Sequence, residues 1–98
     1  MPFYSPGGTT SRSLYWIYVL ESKLDGDRYV GYTSNINQRL KEHIDGKVPS
    51  TKEKRPFKLI YIEGCLNRND ATRREQYLKT TDGRRFLAKR LKMYYAKD

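Results

Sequence analysis

The chain has little of what several common kinds of protein are built from. One of its 98 residues is cysteine and one is histidine. Cys65 has no second thiol with which to close an internal disulfide, and together with His43 it falls short of the four Cys and His ligands of a structural zinc site. The longest apolar run, Leu14 to Leu20, is far shorter than the roughly 20 residues a bilayer span requires. Met1 to Arg12 lacks the apolar centre of a signal segment, so the expectation is a soluble, cytoplasmic protein with no membrane partner. Phosphate-loop, dinucleotide-binding and Ser-His-Asp signatures are missing, and so is the dense carboxylate set of a conventional two-metal site. Negative charge is scarce as well. Eleven Asp and Glu face twenty Lys and Arg, leaving a net charge of +9 and pointing to a polyanionic partner.

What the chain does have is aromatic residues, 13% of the total with nine tyrosines among them, which argue for a packed core despite a hydrophobic share of 37%. Its length suits a single domain. Residues 1–12 have turn-forming composition and read as a loose tail, leaving 13–98 as the folded unit. Leu14 to Glu21 favours a strand and Arg28 to Thr33 a second, antiparallel one. Between them Asp25-Gly26 signals a hairpin, because both residues tolerate the positive φ that primed turns demand. Ser34 or Asn35 caps a helix in which Ile36, Leu40 and Ile44 recur at helical spacing, with Gly46 at its end. Lys47 to Pro56 is a basic loop, and Phe57 to Glu63 resumes strand character. Asn67 to Asp70 is a capping cluster for a helix over Ala71 to Lys79, Asp82-Gly83 punctuates it, and Arg84 to Ala96 forms a third helix. The result is an α+β domain of order β-β-α-β-α-α: a small three-stranded antiparallel sheet flanked by helices.

Within that frame, Tyr18 and Tyr29 stand on neighbouring strands, and they share a face only in the right register. A cross-strand pair that stabilises the sheet is the plainer alternative. Gly31, at a strand end just before a helix, permits close approach of a ligand or another backbone. Arg39 and His43 are four apart on one helix face, at the edge of the Ile36-Leu40-Ile44 stripe, where a guanidinium fork suits a phosphate. Glu75 lies between Ala71 and Leu78 on what is otherwise an apolar stripe. A carboxylate there must be paired, either with one of the many cations or with a metal such as magnesium, which needs only one or two carboxylates when nucleic acid supplies further ligands. Asp25-Gly26-Asp27 is better explained by turn geometry than by metal binding.

Taken together these residues resemble the GIY-YIG nuclease family. Trp16-Ile17-Tyr18 is similar to the first motif and Tyr29-Val30-Gly31 to the second. The segment from Tyr29 to His43 looks like the family's second strand and first helix, with its arginine at Arg39. Arg73-Arg74-Glu75-Gln76-Tyr77-Leu78-Lys79 resembles the helix that carries the metal-binding glutamate. The likeness covers about residues 14–92 and points to small bacterial stand-alone members related to the N-terminal domain of an excinuclease. It implies phosphodiester hydrolysis on DNA through one divalent ion, Mg2+ or Mn2+, in a setting of DNA repair or recombination. By the same resemblance Glu75 holds the metal, Tyr18 is the general base assisted by His43, Tyr29 orients water or phosphate, and Arg39 stabilises the transferring phosphoryl group. A tyrosine with pKa near 10 is phenolate in only about one molecule in a thousand at pH 7, so nearby cationic charge is expected to lower it.

Lys52, Lys54, Arg55, Arg84, Arg85, Lys89 and Arg90 are the candidate DNA contacts. They serve equally a nucleic-acid-binding module of the same fold without catalysis, in which Tyr and Arg stack on bases and the basic loop tracks phosphates. A protein-interaction domain whose charge serves solubility is a third reading. Nothing in the sequence fixes a homodimer or a protein partner.

Overall fold

The middle of the sheet is β1 (Tyr15–Ser22), whose Ile17, Tyr18, Val19 and Leu20 are all buried. An unbroken apolar run is what a strand covered on both faces requires. Its neighbours are β2 (Arg28–Thr33) and β3 (Phe57–Cys65), both antiparallel to it, giving the order β2-β1-β3. This computed structural model describes residues 14–96, so the expected loose tail over 1–12 lies outside the described residues.

Helix α1 (Ile36–Ile44) covers one face, where Tyr18 and Leu20 pack with Ile36 and the half-buried Leu40, Phe57, Leu59 and Ile62. Helices α2 (Arg68–Leu78) and α3 (Thr81–Arg90) cover the other, packing Ala71, Leu78 and Leu87 on Ile17 and Val19. A bulge in β3 sets Tyr61 opposite Val19 and Leu59 opposite Leu20, and both Ile60 and Tyr61 join the α2–α3 side. The expected sheet and the order β-β-α-β-α-α are what the chain adopts, with a further short helix, α4 (Lys92–Ala96), at the end. None of the described helices is long and apolar enough to cross a membrane.

Four local expectations are corrected. The hairpin is not a primed two-residue turn, because no described non-glycine residue has positive φ. Of the hairpin residues Gly26 alone does, at +82°, within a wider loop closed by the bonds Ser22 N–H to Asp27 O at 2.8 Å and Gly26 N–H to Ser22 O at 2.9 Å. The α1 stripe ends early: Ile44 is exposed, while His43 is buried in the core rather than at its edge. Asp82-Gly83 does not separate two helices. Thr80 caps α3 by accepting from Gly83 N–H at 3.0 Å, and Gly83 sits inside the first turn because a Cβ there would meet the Tyr77 carbonyl oxygen at 2.0 Å. Finally, the helix expected over Arg84 to Ala96 breaks at Leu91.

Between α1 and β3 the basic loop is fastened to the hairpin. Ser22 Oγ donates to Lys54 O at 2.7 Å, Lys23 N–H donates to Pro56 O at 2.8 Å, and Lys54 Nζ reaches the carboxylates of Asp25 and Asp27. Val48 and Thr51 are thereby buried within an otherwise polar segment.

Candidate functional site

The register pairs Tyr18 with Gly31 and Leu20 with Tyr29, so both tyrosines project on the α1 face. Gly31 gives the Tyr18 ring its space: a Cβ at that position would lie 2.3 Å from Cζ and from Oη. The phenol is thus carried over the edge strand, only 2% of the residue being exposed. There Tyr18 Oη lies 2.8 Å from His43 Nε2. The other ring nitrogen, Nδ1, lies 2.8 Å from Thr51 Oγ1 in the basic loop, and both His43 and Thr51 are buried. Tyr29 stands lower on the same face, its ring edge-on to Phe57 at 5.7 Å, and Phe57 in turn packs against His43.

Arg39, one turn before His43, closes the group. Its Nη1 donates to Glu42 Oε1 at 2.9 Å, and the positive charge of the guanidinium acts on the nearby Tyr18 phenol. Burial raises the Tyr18 pKa above its ordinary 10, and Arg39 offsets this only in part, with the charges of Glu75 and Glu42 adding to the rise. The expected lowering is therefore not achieved by the protein's own cations. His43 is shifted down from 6.5, by burial first and then by the positive charge of Arg39, so it is neutral at pH 7.

Glu75 belongs to α2, on the opposite layer, yet its charge still reaches Tyr18. Its side chain is 17% exposed and pairs with Lys79 Nζ at 2.5 Å, so the paired state anticipated for a carboxylate on this stripe is the one observed. No group of three or more His, Cys, Asp or Glu that could hold a metal exists among the described residues. A single, mostly buried carboxylate with one flexible, half-exposed lysine beside it fits an ion that takes most of its ligands from water and phosphate. It does not fit a zinc or calcium cage.

The basic residues fall into distinct settings. Lys52 and Arg55 are exposed on the loop that holds Thr51, and Arg55 donates to the carbonyls of Lys52 and Ile44. Lys54 is committed to Asp25 and Asp27. On α3, Arg84, Arg85, Lys89 and Arg90 are exposed, with Arg85 3.6 Å from Asp82. A cleft of about 730 Å³ runs along the β2 edge and brings Arg84 together with Arg28, Tyr29, Lys79 and Tyr95, with Ser50 of the loop on its far wall. Arg28 lies over the Tyr95 ring at 3.9 Å. Tyr18 and His43 thus meet directly, with the charge of Arg39 beside them. Glu75 meets them through its field, and Tyr29 joins the site to the cleft.

Sequence reasoning overlooked Glu42 and Thr51. The i, i+3 spacing from Arg39 could have indicated Glu42. Nothing local marks Thr51, whose contact with His43 depends on the path of the loop.

Residues 14–97 match the family model described as the GIY-YIG catalytic domain. A UPF0213 protein of Bacillus licheniformis is 42% identical over 66 residues, which make up 66% of this chain and 67% of that protein. UPF0213 protein YazA of Bacillus subtilis is 38% identical over 66 residues, 66% of each chain. Among solved structures, the solution NMR structure of the UPF0213 protein BH0048 from Bacillus halodurans superposes with a TM-score of 0.50 at 30% identity, over 78% of this chain and 83% of that one.

Proposed function

Because the chain belongs to the GIY-YIG nuclease family, we propose that it is an endonuclease that hydrolyses DNA phosphodiester bonds with the help of one divalent cation. The observation that carries this reading is the buried contact between Tyr18 Oη and His43 Nε2, flanked by Arg39. A tyrosine whose proton has an acceptor 2.8 Å away can act as general base without a preformed phenolate, since it passes its proton on as it takes one from water. That relay matters here because burial holds the phenol pKa above 10.

Arg39 is placed to donate to a phosphate oxygen where negative charge grows during the displacement, at the cost of releasing Glu42. Tyr29, which lines the cleft, orients the phosphate or the attacking water. Glu75 would hold Mg2+ or Mn2+, with Lys79 giving way. When bound, the ion supplies Lewis-acid neutralisation of the phosphate. Exposed cations of the loop and α3 hold the polyanion by charge, a mode that positions a backbone without reading its bases.

Plasmid and branched DNA incubated with Mg2+ or Mn2+ test the proposal. The expected result is strand scission in the native protein that falls by about 10²-fold or more in Tyr18→Phe and is lost in Glu75→Ala. Full activity in both variants would overturn the assigned roles. The Glu75–Lys79 pair at 2.5 Å is the observation that favours the second reading, a binding module without catalysis. Tight DNA binding with no scission at any metal concentration would select it.

A further inference from the structure

We propose that Thr51 is a positioning residue that fixes His43 in the tautomer with Nδ1 protonated, leaving Nε2 bare to receive the Tyr18 proton. This rests on the relay described above and identifies what sets its direction. A neutral imidazole has one donor and one acceptor nitrogen, and which is which depends on the groups they face. Both ends of the chain of contacts give the same answer. At the loop end, the Thr51 hydroxyl has the Val48 carbonyl as an acceptor at 3.5 Å. With its proton directed there, Thr51 Oγ1 offers a lone pair to His43 Nδ1 at 2.8 Å, and Nδ1 must donate.

At the other end, the hydrogen-bond partner of the Tyr18 hydroxyl is His43 Nε2 at 2.8 Å, and the nearby Arg39 guanidinium can donate but cannot accept. If His43 Nε2 donated instead, the proton of the buried phenol would be left without an acceptor. With Nε2 bare, Tyr18 donates to it at 2.8 Å, and the phenol proton is satisfied. The direction Tyr18 to His43 to Thr51 to Val48 is the one arrangement that uses all of these contacts. In the reaction, the O–H bond of water breaks as the phenol takes its proton, the water oxygen bonds to phosphorus as the P–O bond to the leaving oxygen breaks, the phenol proton moves to Nε2, and the resulting imidazolium keeps its Nδ1–H bond to Thr51. No redox partner is needed, and the proton leaves His43 to solvent on turnover.

The test reads His43 directly. Nitrogen-15 and proton NMR of the full chain at pH 7.5 should show a protonated Nδ1 and an unprotonated Nε2. Thr51→Val, close in volume but lacking the hydroxyl, should shift His43 to the Nε2–H form or a mixture, while Thr51→Ser should keep the native signature. In cleavage assays kcat should fall by about 10²-fold in Thr51→Val with KM unchanged, and Thr51→Ser should restore most of it. An Nε2–H tautomer in the native protein, or a native tautomer in Thr51→Val, overturns the proposal. The spectra need no nuclease activity: a protein with the expected tautomers that cuts no DNA would sink the nuclease reading and leave the assignment of Thr51 standing. Should Thr51→Val fail to fold, the native spectrum together with Thr51→Ser still decides.

Discussion

Tyr18 is buried where a charged phenolate is costly, and His43 is buried beside it where an imidazolium is costly too. Each group is neutral at rest, and in the proposed relay a proton passes between them only when a substrate creates the demand. The downward shift of His43 has a measurable sign. In the unfolded chain His43 takes up a proton near pH 6.5, whereas in the folded chain it does so only at lower pH. Between those two values the unfolded state binds more protons, so stability present above pH 6.5 is lost as the pH falls below it. Urea unfolding at pH 7.5 and pH 5.5 should show a lower midpoint at the acid value, and His43→Gln should flatten that difference. Unchanged pH dependence in the variant would show that another group is responsible. At this scale the sequence is legible wherever a motif constrains it: Tyr18, Tyr29, Arg39, His43 and Glu75 all stand out in it. Tyr29 is placed on the Tyr18 face only by the register, and Thr51 carries no local signal because its role depends on a loop crossing back over α1.

A glycine can mark either a break in a helix or a close approach to another element, and composition alone does not distinguish the two. At Asp82-Gly83 the break is the expectation, but the close approach is what occurs, with Gly83 against the backbone of Tyr77 and Leu78 at the junction of α2 and α3. The obstruction is main chain, which cannot swing aside as a side chain can. Gly83→Ala should therefore cost about 1–3 kcal/mol or more through overpacking, seen as a lower Tm with the DNA-contact residues unaltered. A variant of native stability would mean that α3 can slide on α2. Ile44 shows the same limit of pattern reading. Its spacing matches Ile36 and Leu40, but α1 ends at Ile44, where the chain is turning away, and the core position goes to His43. Strands are easier to recognise, because β1 is buried on both faces and so reads as an unbroken apolar run.

For the molecule as a whole, the excess of positive charge should give a salt-dependent affinity for nucleic acid whether or not chemistry follows. Arg84 is the informative cation, since it lines the cleft beside Arg28, Tyr29 and Lys79, with Tyr29 linking that cleft to the tyrosine-histidine pair. Arg84→Gln should weaken binding to DNA of any sequence alike and reduce the slope of log K against log salt by about one, measured by fluorescence anisotropy across a salt series. An unaltered slope would place the polyanion elsewhere, on the loop side. That loop is buttoned to the hairpin tip by Lys54, Asp25 and Asp27, and a few residues before Lys54 it carries Thr51. The two acids at the tip therefore act as a splint for the imidazole. Cutting or crowding that tip would loosen a fastening whose slack is felt first at the far end, as a ring free to turn over.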